Sequence, residues 1–119
     1  MHAQLVALSL ACVVSTACAA GWSTHDTERE AVFDGLLVVD TMQTHNIAHV
    51  PTYQEENPIL GPHPSNGSVN RYMAACALGH LAVSYLLPER YRPYWQYVTI
   101  GIEGGMVAHN LSIGVGVPF

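Results

Sequence analysis

The sequence predicts a small all-α protein: a three-helix bundle, or a helical hairpin plus one helix, behind an N-terminal signal peptide and ahead of a short extended tail. Three observations carry this expectation. Capping patterns open stretches whose apolar residues recur every three or four positions; prolines and glycines gather between those stretches; and two-residue alternation is confined to residues 111–119. With 119 residues the chain has room for one small domain, residues 20–119 once a leader at 1–19 is removed.

The leader comes first. Residues 5–14 are an unbroken small and apolar run, followed by Ser15-Thr16-Ala17-Cys18-Ala19-Ala20, small residues where a signal peptidase seats its substrate. An uncleaved anchor is the alternative, but about a dozen apolar residues fall short of the ~20 that a spanning helix needs. Ala17-Cys18-Ala19 suits ordinary cleavage, whereas Ser15-Thr16-Ala17-Cys18 resembles a bacterial lipobox with serine in place of its usual leucine. That resemblance implies cleavage before Cys18, with the cysteine lipidated as the first residue, and Ala19-Ala20 after it, by resemblance to bacterial lipoproteins, favours the outer membrane. After cleavage at Cys18 or beyond, Cys76 is the only free internal thiol, which excludes an intrachain disulfide framework.

A first helix is expected from 23–27 to about 48. Ser23-Thr24-His25-Asp26 and Thr27-Glu28-Arg29-Glu30 both have capping spacing, and Val50-Pro51 ends the helix. Its stripe of Phe33, Leu36, Leu37 and Ile47 also carries Asp40, Gln43 and Thr44, so its lower half is polar. The proline-rich stretch 50–67 is a loop. A second helix follows over about 68–87, capped by Asn66 or Ser68 and closed by Pro88, with His80 the one strongly polar interruption in an apolar run. Pro93 suits the first turn of a third helix that reaches about 109 or 110. Gly101 and Gly105 give it a G-x-x-x-G spacing that allows close helix approach, and with Gly104 they make it costly as an isolated helix. The tail alternates Leu111, Ile113, Val115, Val117 and Phe119 with small residues, the period of a strand that could pair with another chain.

Composition sorts the function classes. Half of the residues are hydrophobic (50%) but only 11% are charged, against about 25% in ordinary soluble domains, which points to lipid or a protein partner. The net charge is -5, lysine is absent, and Arg29, Arg71, Arg90 and Arg92 form no basic stripe, so nucleic-acid binding is set aside. No segment passes a strict test for a transmembrane span, and a compact bundle docked on or partly embedded in a membrane fits better.

Asp40, Gln43, Thr44, His80, Glu103 and Asn110 place polar groups on otherwise apolar faces of all three helices, and packing could bring them into one interior cluster. Buried carboxylates need partners, so the expected role is a hydrogen-bonded lock that fixes helix register. The alternative is a metal or acid–base centre of Asp40, His80 and Glu103, with His109 as a further candidate; carboxylate and imidazole suit Zn, Mn or Fe. No H-E-x-x-H, paired E-x-x-H or C-x-x-C supports it, and no G-x-S-x-G elbow supports a hydrolase, so no catalytic residue, metal or cofactor is assigned. His45 and His49, four apart, lie at a helix C-terminus that favours histidine for its dipole. In the loop, Glu56, Asn57 and Pro58 read as a corner: Asn57-Pro58 initiates a turn, and Ile59 and Leu60 plug the space under the helices.

The segments D-T-M-Q-T (40–44), E-N-P-I-L-G (56–61) and Y-W-Q-Y-V-T-I-G-I-E (94–103), with G-W-S-T (21–24) behind the leader, resemble small phage- or prophage-encoded exported proteins of uncharacterised function, often lipoprotein-like. The resemblance covers most of the mature chain and implies a bacterial envelope location, with superinfection exclusion, envelope modification or lysis as the roles to expect, but no mechanism. The sequence thus suggests action by protein or membrane contact, including self-association through the tail. A membrane-associated metal-dependent enzyme and a holin-like pore former are the alternatives.

Overall fold

The computed structural model describes residues 21–116; the leader, Cys18 and residues 117–119 lie outside that range. Three helices follow in order, α1 (Thr24–His49), α2 (Asn66–Leu86) and α3 (Arg92–Ser112), and no strand occurs among the described residues. The all-α bundle expected from the sequence is the fold.

Helix α1 begins with the expected capping box: Ser23 Oγ accepts from Asp26 N–H, and Asp26 Oδ2 accepts from Ser23 N–H at 2.8 Å. Helix α2 is capped by Ser65, one residue ahead of Asn66 and three ahead of Ser68, the two expected caps, and its Oγ accepts from Ser68 N–H at 3.2 Å. Helix α3 starts with Pro93 in its first turn and runs through Leu111 and Ser112, two residues into the stretch expected to be extended. Gly114, at φ 92°, then reverses the chain, and Val115 N–H returns to the carbonyl of Asn110 at 2.9 Å. Val115 is thereby buried, and Asn46 Nδ2 donates to the carbonyl of Gly116. The described part of the tail folds back on α1.

Helices α1 and α3 run parallel and share the most extensive contact; α2 runs antiparallel to both and meets α1 more than α3. A small apolar layer of Phe33, Leu37, Val69 and Met73 sits midway, flanked by Tyr72, Cys76, Ala77 and Ile100. Above and below it the interior is polar, and among the described residues buried polar and charged side chains outnumber buried apolar ones. Large apolar side chains face outward instead. Along α3, Tyr94, Val98, Ile102 and Met106 form an exposed row at four-residue spacing, and α2 exposes Leu78, Leu81 and Leu86.

Candidate functional site

The polar residues form two levels. At the end where α1 and α3 begin and α2 finishes, Arg92 is 1% exposed and ties three chain segments together. Its guanidinium donates to Asp26 Oδ2 (3.0 Å) and to the carbonyls of Ser84 (2.7 Å), Leu87 (3.1 Å) and Gly21 (3.2 Å). Two of those carbonyls lie at the end of α2, where a helix leaves acceptors without intrahelical donors. Arg29 pairs with Asp26 Oδ1 and donates to Gln96 Oε1 at 2.6 Å.

Glu30 is the centre of this level. Its carboxylate accepts from Gln96 Nε2 (3.0 Å), Ser84 Oγ and His80 Nδ1 (3.0 Å), and His80 Nε2 meets Thr99 Oγ1 at 2.7 Å. Phe33 and Trp95 both stack with the imidazole, their ring centroids 3.7 and 5.1 Å away. Burial pushes the carboxyls of Asp26 and Glu30 up, but hydrogen bonds and opposite charge outweigh it, and both end below the usual carboxylate range. Ser84, His80 and Glu30 are a serine, a histidine and an acid together, yet the hydroxyl bonds the acid and all three are buried. They form a structural network and not a nucleophile with its base.

The second level lies on the other side of the apolar layer. Gln43 Nε2 donates to the carbonyl of Val107 at 3.2 Å, and Asn110 Nδ2 donates to Gln43 Oε1 at 3.1 Å. Asp40 and Glu103 both line one inner pocket, near enough for the carboxyl of Asp40 to act on that of Glu103. Burial first, and then the neighbouring carboxyl of Asp40, push Glu103 up to about 8. Glu103 is 8% exposed, and its Oε1 has no hydrogen-bond partner among the described residues. Burial also raises Glu55, which reaches in from the loop and is raised further by the charge of Asp40.

The predicted cluster of six therefore divides. Asp40, Gln43, Thr44, Glu103 and Asn110 do come together, whereas His80 belongs to the first level with Glu30. The reason is helix geometry: Asp40 lies ten residues beyond Glu30, about 15 Å along α1. The centre of Asp40, His80 and Glu103 is not assembled, and among the described residues no three His, Cys, Asp or Glu groups could hold a metal ion. His109 lines the cleft described next.

The loop is a corner, with a correction at its tip. Asn57 Oδ1 accepts from Ile59 N–H at 2.9 Å, and Gly61, at φ 79°, returns N–H to the carbonyl of Asn57. Glu56 and Pro58 are exposed, and so is Ile59 at 78%, so only Leu60 faces inward as a partial plug. The tight turn projects residue 59 away from the helices. His45 and His49 are bridged by asparagines of α2: Asn66 Oδ1 lies 2.9 Å from a ring nitrogen of each, and Asn70 Oδ1 lies 2.8 Å from His45 Nε2.

A cleft of about 800 Å³ opens between α1, α3 and the loop over residues 52–58, beside an inner pocket of about 110 Å³ that holds Glu103. The two share Asp40, Glu55, Asn57 and Met106 as walls. The polar cluster expected from the sequence does not include Asp26, Arg29, Glu30, Ser84, Arg92, Gln96 or Thr99. A signal for the buried ones was present: extending the stripe of α1 back from Asp40 by three- and four-residue steps reaches Leu37, Phe33, Glu30 and Asp26. No protein-family model, curated protein or solved structure matches this chain.

Proposed function

We propose that this is an exported, membrane-associated envelope protein that acts by contact, through the apolar outer surface of its bundle. One observation carries the reading: the described bundle is polar inside and apolar outside. Buried Arg92, Gln43, Gln96, Glu30 and Glu103 sit opposite exposed Tyr94, Val98, Ile102, Leu78 and Leu86. A bundle in water gains stability by the reverse arrangement, and large exposed apolar patches mark lipid or partner contacts.

The aromatic residues support the same reading. Trp22, Tyr85, Tyr91, Tyr94 and Tyr97 come from the three segments that Arg92 ties together, with Trp22 stacked on Tyr85 at 4.8 Å and Arg29 over the Tyr97 ring. Tyrosine, tryptophan and arginine together suit the headgroup region of a bilayer. No helix among the described residues is long and apolar enough to cross a membrane, and the contact proposed is an interfacial one.

The test is flotation of purified protein with lipid vesicles. Wild type should float, and the double variant Tyr94→Glu, Val98→Glu, which alters only the outer row, should remain at the bottom while keeping its helical circular dichroism. Flotation unchanged by the double variant would refute membrane contact through this face. Cell fractionation with and without Cys18→Ala tests export and lipid attachment separately.

A further inference from the structure

We propose that the cleft between α1, α3 and the loop binds a primary ammonium on an apolar body, the ammonium at Asp40 and Glu103 and the body along Ile102, Met106 and Ile113. The first observation is an unmet acceptor. Glu103 Oε1 is buried without a hydrogen-bond partner among the described residues, and Glu103 is one of the residues that line the inner pocket. A buried carboxyl oxygen without a donor is costly, and a ligand bearing N–H groups removes that cost.

Charge selects the ligand's sign. Asp40, Glu55 and Glu56 line the cleft and Glu103 the pocket; among the described residues no arginine lines either, and His109 is the only basic side chain on the walls. Shape selects an organic body, because the cleft falls within the ~300–1,000 Å³ range of small-molecule sites and carries Ile47, Ile102 and Ile113 beside its acids. Gly101 and Gly105 widen it: a Cβ at either would meet no atom within 4 Å among the described residues. The unmet acceptor selects the head group. A primary ammonium brings three N–H donors, whereas a quaternary ammonium has none.

Binding exchanges one cation for another. Below about 8 Glu103 holds a proton, which it gives to solvent as the ammonium arrives, so up to one proton leaves for each cation bound. The surrounding groups do not supply that proton. Glu55 faces the pair from the loop, and Tyr72 and Cys76 face it from α2, where burial raises both and keeps them neutral. Affinity should therefore rise with pH from about 7 to about 9, below the ~10.4 at which a lysine-like amine loses its own charge.

Titration calorimetry near pH 8 with hexylamine, hexanol and hexyltrimethylammonium tests the assignment. Hexylamine should bind roughly tenfold or more tightly than either control, the scale of one charge-assisted hydrogen bond. It should also release a proton, seen as a heat that depends on the buffer. Glu103→Gln, isosteric with the acid, should abolish the preference for the amine while hexanol binding persists. Gly105→Leu, which fills the cleft, should abolish binding of both. Equal affinity for hexylamine and hexanol, no binding, or a preference surviving in Glu103→Gln would overturn the proposal. Displacement of hexylamine by phosphatidylethanolamine vesicles but not phosphatidylcholine vesicles would identify a lipid headgroup as the source of the ammonium; displacement by neither would identify a free amine. The proposal does not need membrane seating, and the Tyr94→Glu, Val98→Glu variant should still bind hexylamine.

Discussion

Two carboxylate clusters lie on one face of α1, separated by a single apolar layer, and burial has opposite consequences in them. Asp26 and Glu30 are met by Arg92, Arg29, His80, Gln96 and Ser84, and their carboxyls are held below the ordinary range. Asp40 and Glu103 are met chiefly by each other, and Glu103 is pushed up to about 8. All four are almost fully buried. Burial alone therefore decides neither charge state nor energetic role; the partners do. The satisfied cluster locks the helices, and the unsatisfied one holds an open demand for a donor.

The harshest way to break this comparison is Arg92→Met. Methionine fills similar space but leaves Asp26 short of a cation and removes the donors to the Ser84 and Leu87 carbonyls. Removing one partner of a buried ion pair costs on the order of 3–5 kcal/mol, and urea unfolding should show a loss of that size. Glu103→Gln, at equal burial, should leave stability near pH 7 unchanged or higher, because it removes a carboxyl with no cation to lose. If the two variants were equally destabilised, the levels would not differ as described.

The pH dependence sharpens the contrast, since the two clusters predict slopes of opposite sign. Asp26 and Glu30 have folded values below their unfolded ones of 3.8 and 4.5, so their contribution is present above those values and is lost as acid protonates them. Glu103 rises from 4.5 to about 8, so the folded state holds a proton that the unfolded chain has released. Its contribution is complete below 4.5 and is lost as pH rises from there through about 8. Stability should climb out of acid and then decline toward mild alkali. The decline should amount to a few kcal/mol, because each tenfold difference in proton affinity between the folded and unfolded chain is worth about 1.4 kcal/mol. Glu103→Gln should flatten the decline and leave the acid limb in place, measured by denaturant midpoints across the range.

Much of this fold is legible in the sequence because local signals suffice for it. Ser23 and Asp26 at capping spacing, Pro88 after α2 and Pro93 inside α3 mark helix ends through backbone chemistry that acts within a few residues. The polar faces were legible for the same reason, as periodicity. Which faces meet was not, because His80 could have met Asp40 or Glu30 and only the relative shift of two packed helices decides between them. The tail misled through its alternation. Leu111 and Ser112 continue α3 because helix propagation adds one hydrogen bond for each residue fixed, and Gly114 supplies the left-handed turn that ends the run.

The smallest expected effect concerns the glycines of α3, which also divide between the two kinds of surroundings. Gly104 faces α1, where a Cβ would stand 3.7 Å from Leu36 Cδ1 in ordinary contact, while Gly101 and Gly105 face the cleft. Alanine is better than glycine inside a helix by about 0.8–1.0 kcal/mol. With space at each site, Gly105→Ala and Gly104→Ala should both raise the free energy of unfolding by about that amount, read from denaturant titrations. Their effects should part on hexylamine, whose binding Gly105→Ala alone should weaken, by several-fold. A Gly105→Ala protein that is less stable than wild type would mean that a helix of a second copy already lies against the G-x-x-x-G face. The cleft would then be a helix seat, and the unmet oxygen of Glu103 would have its donor there.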